Sequence, residues 1–599
     1  MRAEVRRCTR LIAALFLLSF SALAHAGSGA PQVRDVGGVR CSVSYDGPDL
    51  IHSGYFPIHV ELLNSNDFEI VVDFAAEQQW QVEDRVTKRI ELQAGEQYSF
   101  EPLLRARRNG MNTYAVKFTA GGERFVMTVG PTEWSGGYEI PVLYCSAAAP
   151  EAGAIERWAE QWSDRSSNTY KFASHTFDQL AEEWAAYSCY EWVVLSLDEG
   201  IPPKAKLDAL FAWVRTGGRL VIGGADPRAV LRDRPADAQW FTADYKVRPQ
   251  GTEKYDAFHF GYGSVVLVPA PQLPDELMEN TRMRRPEALV AIGVYQGRTW
   301  TPGSESTGES GTDRVSDSLV GFGELPLRGL MVLLVVFALV MGPVNFWWVK
   351  RSRKPMLLLV TVPAISIVTS VGLALFGILS QGLDIKVSTR SYTVLDQPNR
   401  TATTAEVRRL FAGSSPGAGL RPEAGTMVFP AQAEDESGFR RGQIFTQDLT
   451  QGRVLGGDYI PVRKPTLQLI LSDRSTRLRL DVTALGEQVE VANALGGTVE
   501  RLMLRDLIGE YHQLNGTLAA GSTQRLVANV DLAQRKTWDM VHGNYWAGDL
   551  ERQHFLPRGA FIAEVRADGL RDDCGVEVNE LQGSHFVFGV YAHPGGNQR

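Results

Sequence analysis

The sequence predicts a multidomain chain: a β-sandwich, an α/β unit built on a parallel sheet, two membrane-spanning helices, and a carboxyl-terminal region containing a second sandwich. Three observations carry this prediction. Residues 32–130, and the part of 382–599 beyond about residue 465, alternate apolar and polar side chains at the two-residue period of half-buried strands. Residues 138–272 instead interleave short apolar runs with helical patterns, as a parallel sheet with crossovers requires. Residues 329–349 and 356–379 carry no charged side chain, and each is long enough to cross about 30 Å of hydrocarbon. The 599 residues are 44% hydrophobic and 22% charged, globular values that exclude wholesale disorder and a disulfide-dense scaffold. A net charge of −8 without a basic block argues against a nucleic-acid partner. A mean hydropathy of −0.14 excludes a polytopic transporter.

Residues 1–26 read as an export signal. Arg2, Arg6, Arg7 and Arg10 precede an apolar core from Leu11 to Leu23, and Ala24-His25-Ala26 gives the small-x-small cleavage pattern. Removing its four arginines and one glutamate takes the net charge from −8 to −11. In the first sandwich, 32–130, Ile58, Val60 and Leu62 alternate with polar neighbours before the turn Asn64-Ser65-Asn66-Asp67. Alternation returns at Ile90 and Leu92, and from Tyr114 to Phe118.

In the α/β unit, 138–272, Ile140 to Cys145 is a strand, followed by a helical pattern through Trp158 and Trp162. Tyr170 to Ala173 suggests a second strand and Phe177 to Tyr187 a helix. Trp192 to Ser196 reads as a buried strand. Pro202-Pro203 opens a helix in which Leu207, Leu210, Phe211 and Val214 recur at helical spacing, and Gly217-Gly218 closes it before the strand Arg219 to Ile222.

Residues 303–324, rich in Ser, Gly and acidic side chains at their start, form a flexible linker. Between the apolar stretches, loop 350–355 places Lys350, Arg351, Arg353 and Lys354 together, which the positive-inside rule assigns to the cytoplasm, with Trp347 and Trp348 at the interface. The spans hold no ionisable side chain. Asn345 is the one strong polar group, and Pro343 should kink its helix. The expected address is a two-pass protein of a bacterial inner membrane, with amino- and carboxyl-terminal regions in the periplasm.

Beyond the spans, Leu478, Leu480 and Val482 alternate, as do Val489 and Val491, placing the second sandwich at about 465–599. Residues 397–465 are rich in Gly and Pro and show little periodicity; they receive no assignment, although a second set of strands beside the sandwich is one reading. The two sandwich regions share a signature. A strand ends at Asn64 and Leu92-Gln93-Ala94-Gly95 follows; another ends at Asn493 and Leu518-Ala519-Ala520-Gly521 follows. On these residues both regions resemble bacterial immunoglobulin-like (Ig-like) sandwich modules.

The strand Trp192–Ser196, the helix ending Trp213-Val214-Arg215-Thr216-Gly217-Gly218 and the run Arg219-Leu220-Val221-Ile222-Gly223-Gly224 resemble the class I glutamine amidotransferase-like fold, whose sheet is of flavodoxin type. That resemblance implies a nucleophilic Cys at the elbow after the last of these strands, and a later His-x-Glu pair. Here the elbow falls on Gly223 or Gly224, and Val266-Leu267-Val268-Pro269-Ala270-Pro271 holds neither His nor Glu. The amidotransferase machinery is therefore absent from its expected positions. The order of segments, with Gly342-Pro343-Val344-Asn345 in the first span, resembles an uncharacterised family of bacterial membrane proteins found beside MoxR-type ATPases and von Willebrand A-domain proteins. That resemblance implies an envelope assembly or stress system, with such proteins as partners.

One candidate nucleophile remains: Cys145, at the carboxyl edge of its strand, where α/β sites lie, with His259 as a conceivable base. A small buried hydrophobe is the competing reading. Asp198 and Asp226 are the acidic side chains at that edge. Cys145 and Cys189 fall at opposite edges of one sheet, which disfavours a disulfide between them. The ten histidines are scattered without zinc spacing, and neither Asp572-Asp573 nor Glu434-Asp435-Glu436 has the spacing of a calcium loop, so no metal is expected and the acidic runs read as solvated surface. Gly261-Tyr262-Gly263 reads as a turn, and no cofactor is expected. The functional expectation is a non-enzymatic anchored scaffold or binding protein with a protein or cell-wall-polymer ligand. A divergent hydrolase or transferase acting on envelope material is the alternative.

Overall fold

Alternation between residues 31 and 131 closes into two facing sheets. The computed structural model describes residues 31–49, 51, 54–78, 82–106, 112–131, 139–148, 150, 153, 157, 160, 169–224, 226–231, 256–268, 327–352, 355–431, 443–485, 488–528, 558–566 and 569–592. The expected signal 1–26, the linker 303–324, Trp158, Trp162 and Glu434-Asp435-Glu436 lie outside them. One sheet runs Gln32–Val36, Val39–Ser44, His59–Asn64, Gln97–Phe100; the other begins Glu123–Val129, Tyr114–Ala120, Ile70–Gln78, Val82–Leu92. Val60 and Leu62 from one face meet Val72, Phe74 and Phe118 from the other, all buried in one core.

The second sheet does not end with its own module. Gln443–Asp448 pairs in parallel with Val82 to Thr87, and Val454–Gly457 pairs antiparallel beyond it. Part of the Gly/Pro-rich region that had no assignment, 443–457, therefore completes the amino-terminal sandwich from more than three hundred residues away, while its strands Thr401–Ala412 and Thr426–Ala431 join the carboxyl-terminal sheet.

The shared signature is a hydrogen-bonded clamp. Asn64 is fully buried; its Nδ2 donates to Phe68 O (2.8 Å), Gln93 O (2.9 Å) and Leu92 O (3.3 Å), and its Oδ1 accepts from Asn66 N (3.0 Å). Asn493 repeats the arrangement: Nδ2 donates to Gly497 O (2.9 Å) and Leu518 O (3.0 Å), and Oδ1 accepts from Leu495 N (3.0 Å). Gly95 and Gly521 turn the chain at φ of 70° and 75°, a left-handed geometry that glycine adopts without a Cβ clash. The clamp ties the end of one strand to a turn that follows much later, in both modules.

The middle region holds a six-stranded sheet in the order Thr169–Thr176, Glu139–Ser146, Trp192–Ser196, Arg219–Gly223, Gly263–Val268, Asp256–Phe260. The first five strands are mutually parallel and the last is antiparallel. A flavodoxin-type domain covers both faces of such a sheet with crossover helices. Among the described residues this sheet has one α-helix, α1 (Lys204–Arg215). The expected helix from Phe177 to Tyr187 is instead two 3₁₀ turns, Phe177–Gln179 and Trp184–Tyr187. All four residues of the second turn are buried, whereas a surface helix buries only one stripe. The flavodoxin-type expectation is thus overturned: the chain is predominantly β, with sandwich-like architecture. In α1, Leu207, Leu210, Phe211 and Val214 face inward as their spacing requires. A Cβ at Gly218 would lie 2.3 Å from the Trp213 ring, so the helix exit needs glycine.

The helical rod starts at Leu327–Leu339, passes through a π-turn at Val340–Val344 and continues as Asn345–Ser352; together these are α2. Pro343 lies in the π-turn, where its missing N–H interrupts the regular ladder. Met331–Ser352, 22 residues, is long and apolar enough to cross a membrane. In α3 (Leu358–Gln381) the apolar stretch counted among the described residues, Leu358–Leu373, falls below that length. The expectation of two spanning helices is therefore corrected to one, and the two-pass inner-membrane topology with both regions in the periplasm falls with it. A single helix of this kind does not fix a membrane placement.

The carboxyl-terminal region is an eleven-stranded arrangement centred on the long strands Thr401–Ala412, Ile385–Asp396 and Asn579–Val590. The last two run parallel although they come from opposite ends of the region. A single buried cluster runs from Val36 through Cys145 and Trp213 to Tyr392 and Val590, so amino-terminal sandwich, middle sheet and carboxyl-terminal region share one core.

Candidate functional site

The carboxyl edge of the parallel sheet is where the sequence points, and its parts are now placed. Cys145 is fully buried within the shared core, and that burial pushes its thiol well above the ordinary cysteine range. A nucleophile needs the opposite shift. His259 does not meet it. It pairs with Ser264, which aligns with Arg219, Trp192 and Val142, three residues short of Cys145 and near the other edge of the sheet. Three strands lie between, roughly 19 Å at the usual spacing of about 4.8 Å.

The histidine that register sets beside Cys145 is His175, at the end of the neighbouring strand. Its Nε2 lies 3.0 Å from Asp46 O of the amino-terminal sandwich, and burial lowers its pKa, so it stays neutral. The sequence reading passed over His175, although its strand position was legible.

Gly223 ends its strand opposite Ser196 and Val268. Gly224 follows at φ 132°, and a Cβ there would stand 3.2 Å from Asp198 Oδ1, so this elbow is shaped for glycine and not for a side chain that attacks. The other face of the edge is a hydroxyl row. Tyr144 bonds the side chains of Ser146 and Ser196, and Ser196 Oγ donates to Asp198 Oδ2 at 3.2 Å. Burial raises the Tyr144 phenol. Asp198 and Asp226 are exposed. No group of three His, Cys, Asp or Glu side chains that could hold a metal occurs among the described residues.

Cys41, Cys145, Cys189 and Cys574 are all buried free thiols, and burial pushes Cys41 and Cys574 up to about 12. Tyr262, in the Gly261-Tyr262-Gly263 turn, is a buried peg whose hydroxyl donates to Tyr392 O at 2.5 Å. Asp572 is not solvated surface: it is buried, accepting from Glu423 N and Cys574 N at 2.7 Å each, while Asp573 is exposed.

Polar chemistry that the sequence did not reveal sits at the junctions. Arg215, at the end of α1, is bidentate to Asp473 of the carboxyl-terminal sheet at 2.8 Å for both bonds, and Thr403 Oγ1 donates to the same carboxylate at 2.7 Å. Ser188 Oγ accepts from Tyr55 N at 2.7 Å, and Trp184 Nε1 donates to Gly425 O at 3.0 Å. A small crevice, partly open to solvent, lies where Gln443–Asp448 docks. There Arg105 Nη2 donates to Asp84 Oδ1 at 2.7 Å, its guanidinium stacks 4.2 Å from the Phe445 ring, and the Tyr55 and Tyr459 hydroxyls meet at 3.2 Å. Burial opposes the Arg105 charge, but Asp84 and the two phenols outweigh it and raise its pKa.

In the carboxyl-terminal sheet, Arg408 and Glu406 form an ion pair at 2.7 Å, both 1% exposed at their side chains. Nearby, Glu580 is held down to about 2: burial opposes this, and bonds from His585 and Arg571 prevail.

No protein-family model matches the chain, and no curated protein matches it. Among solved structures it is similar to the yeast delta-COP-I mu-homology domain complexed with a WxWxV peptide, at 6% identity over 34% of this chain and 96% of that one, TM-score 0.16. It is also similar to a Paenibacillus cycloisomaltooligosaccharide glucanotransferase, at 10% identity over 38% and 34% of the two chains, TM-score 0.15. For a β-D-mannosidase from Dictyoglomus thermophilum the values are 9% identity, 85% and 75% coverage and a TM-score of 0.14. Scores this low carry no argument about fold or function, and these comparisons assign the chain to no family.

Proposed function

We propose that the protein is a non-enzymatic scaffold or binding protein whose three folded regions act as one body toward protein partners. The observation that carries this reading is the shared core: sandwich, middle sheet and carboxyl-terminal sheet are joined by buried side chains rather than strung on linkers. The position best placed for catalysis supports it as well, since the elbow is Gly223-Gly224 and the thiol of Cys145, two strands away in the same sheet, is buried and held protonated. Partners of the kind implied by the resemblance, von Willebrand A-domain and MoxR-associated proteins, are part of the proposal. In-cell crosslinking of the tagged full-length chain, followed by purification and mass spectrometry, tests it: a reproducible set of partners is expected. Ester, amide or thioester hydrolysis by the purified chain that disappears in Cys145→Ala would overturn it.

A further inference from the structure

The helical rod carries a periodic pattern of cover that singles out one polar layer. In α2, Leu333, Phe337 and Met341 are half-buried and Asn345 and Val349 are buried, while every residue between them is exposed. In α3 the half-buried side holds Leu358, Thr361, Ile365 and Thr369. The two helices pack against each other as a hairpin, so these stripes are the faces in contact. Asn345 and Thr361 each lie about two turns from the connection between the helices, roughly 10 Å along the axis, and so fall in one layer. Asn345 Nδ2 and Thr361 Oγ1 are both buried atoms without a hydrogen-bond partner, and among the described residues no other side-chain atom of α2 or α3 is in that position. We propose that Asn345 and Thr361 are the register key of the α2–α3 hairpin: the amide turns to donate to the hydroxyl across the seam, and this one polar layer holds the helices in a single axial alignment.

The layers on either side are apolar: Val349 is level with Leu357, and Met341 with Ile365. A slip of α2 by one turn, about 6 Å, sets Asn345 against Ile365 and Thr361 against Val349 in one direction. In the other direction it sets Asn345 against Leu357 and Thr361 against Met341. The apolar layers only exchange partners of similar character, so they discriminate little between alignments. The polar layer discriminates strongly, because an amide buried against apolar side chains has nothing to bond. A single buried Asn fixes the register of paired helices for this reason. The π-turn serves the same end. Positions four apart drift by about 40° per step on a regular α-helix, and the wider turn at Val340–Val344 takes up part of that drift just before Asn345, which keeps Asn345 on the stripe of Leu333 and Phe337. Since α3 leads through a short connection into Ile385–Asp396 of the shared core, the key sets the height of α2 relative to the folded body. This inference does not depend on the scaffold reading.

The test is paired-cysteine crosslinking of the purified full-length chain with dibromobimane, a short thiol-to-thiol reagent. Met341→Cys with Ile365→Cys reports the aligned register, and Met341→Cys with Thr369→Cys reports a slip of one turn. The aligned pair is expected to crosslink faster by about tenfold, the ratio that one buried hydrogen bond against two unpaired groups supports. Adding Asn345→Leu should bring the two pairs to within about twofold, and the exchange Asn345→Thr with Thr361→Asn, which restores donor and acceptor from opposite helices, should bring the preference back. Equal crosslinking by both pairs in the chain that keeps Asn345 and Thr361, an undiminished preference in Asn345→Leu, or no recovery on exchange overturns the proposal. Should Asn345→Leu misfold, Thr361→Val, which keeps the side-chain shape, decides by the same ratio: a lost preference supports the key and a retained one overturns it.

Discussion

Replacing Asn493 with alanine removes the second clamp and leaves the surrounding strands in place. The change deletes three hydrogen bonds, to Gly497 O, Leu518 O and Leu495 N. Leu518 O keeps a partner in Val499 N at 2.9 Å, so its loss is small. Gly497 O and Leu495 N lose the clamp, and each buried polar group left unpaired costs about 1–3 kcal/mol. The expected loss is therefore about 3 kcal/mol for the carboxyl-terminal module. Asn493→Asp sharpens the reasoning. The carboxylate still accepts from Leu495 N but faces two carbonyl oxygens, which raises its pKa. Its deficit should be greatest at neutral pH and shrink on acidification, when the protonated acid can donate one bond. Denaturant unfolding of the full-length chain, with hydrogen exchange read over residues 488–505, measures both. A loss below about 1 kcal/mol in Asn493→Ala, or a pH-independent Asn493→Asp, would refute the clamp as a buried, load-sharing element. Asn64→Ala should behave alike in the first module.

Arg215→Met leaves the Asp473 carboxylate buried with the Thr403 hydroxyl, and should cost about 3–5 kcal/mol by denaturant unfolding; adding Asp473→Leu should recover much of it. Glu406→Gln strands the fully buried Arg408 and should destabilise by a similar amount, seen as a lowered unfolding midpoint. Cys145 should resist iodoacetamide at pH 8 in the folded chain and react on unfolding, since burial keeps it protonated and covered; labelling in the folded state contradicts this. His59 titrates above the ordinary histidine value because Glu101 accepts from it, so its stabilisation is complete below about pH 6.5 and is lost as pH rises through the raised pKa. His59→Gln should flatten that part of a thermal-unfolding profile between pH 5 and 8.

What was legible in the sequence is what local geometry fixes. Alternation at Val60 and Leu62 placed inward faces, and the Asn64 and Asn493 signature was readable because a side-chain amide reaches backbone groups at set offsets. The helix pattern at Leu207, Leu210, Phe211 and Val214 likewise led to α1. Periodicity failed where burial lies on all sides: Trp184 to Tyr187 are all inside, so an apolar run that suggested a helix became a 3₁₀ turn. Thr401–Ala412 hides Glu406 and Arg408 within a strand buried on both faces, which no polar–apolar alternation signals. The site fared worse, because the contacts that matter, Arg215 with Asp473 and His175 with Asp46, join positions far apart in the chain.

The strand borrowed by the amino-terminal sandwich has a consequence for biosynthesis. Val82–Leu92 leaves the ribosome long before Gln443–Asp448 exists, and at about 5–20 residues per second the nascent chain waits roughly 20–70 s for its neighbour. During that interval the sandwich displays an open edge, which invites pairing with other chains. The strand carries Glu83, Asp84, Arg85, Lys88, Arg89 and Glu91, a density of charge that discourages such pairing until Gln443–Asp448 arrives. Asp84 then finds Arg105, which stacks on Phe445 of the incoming strand. The same charges that shield the waiting edge thus help to recognise the segment that closes it.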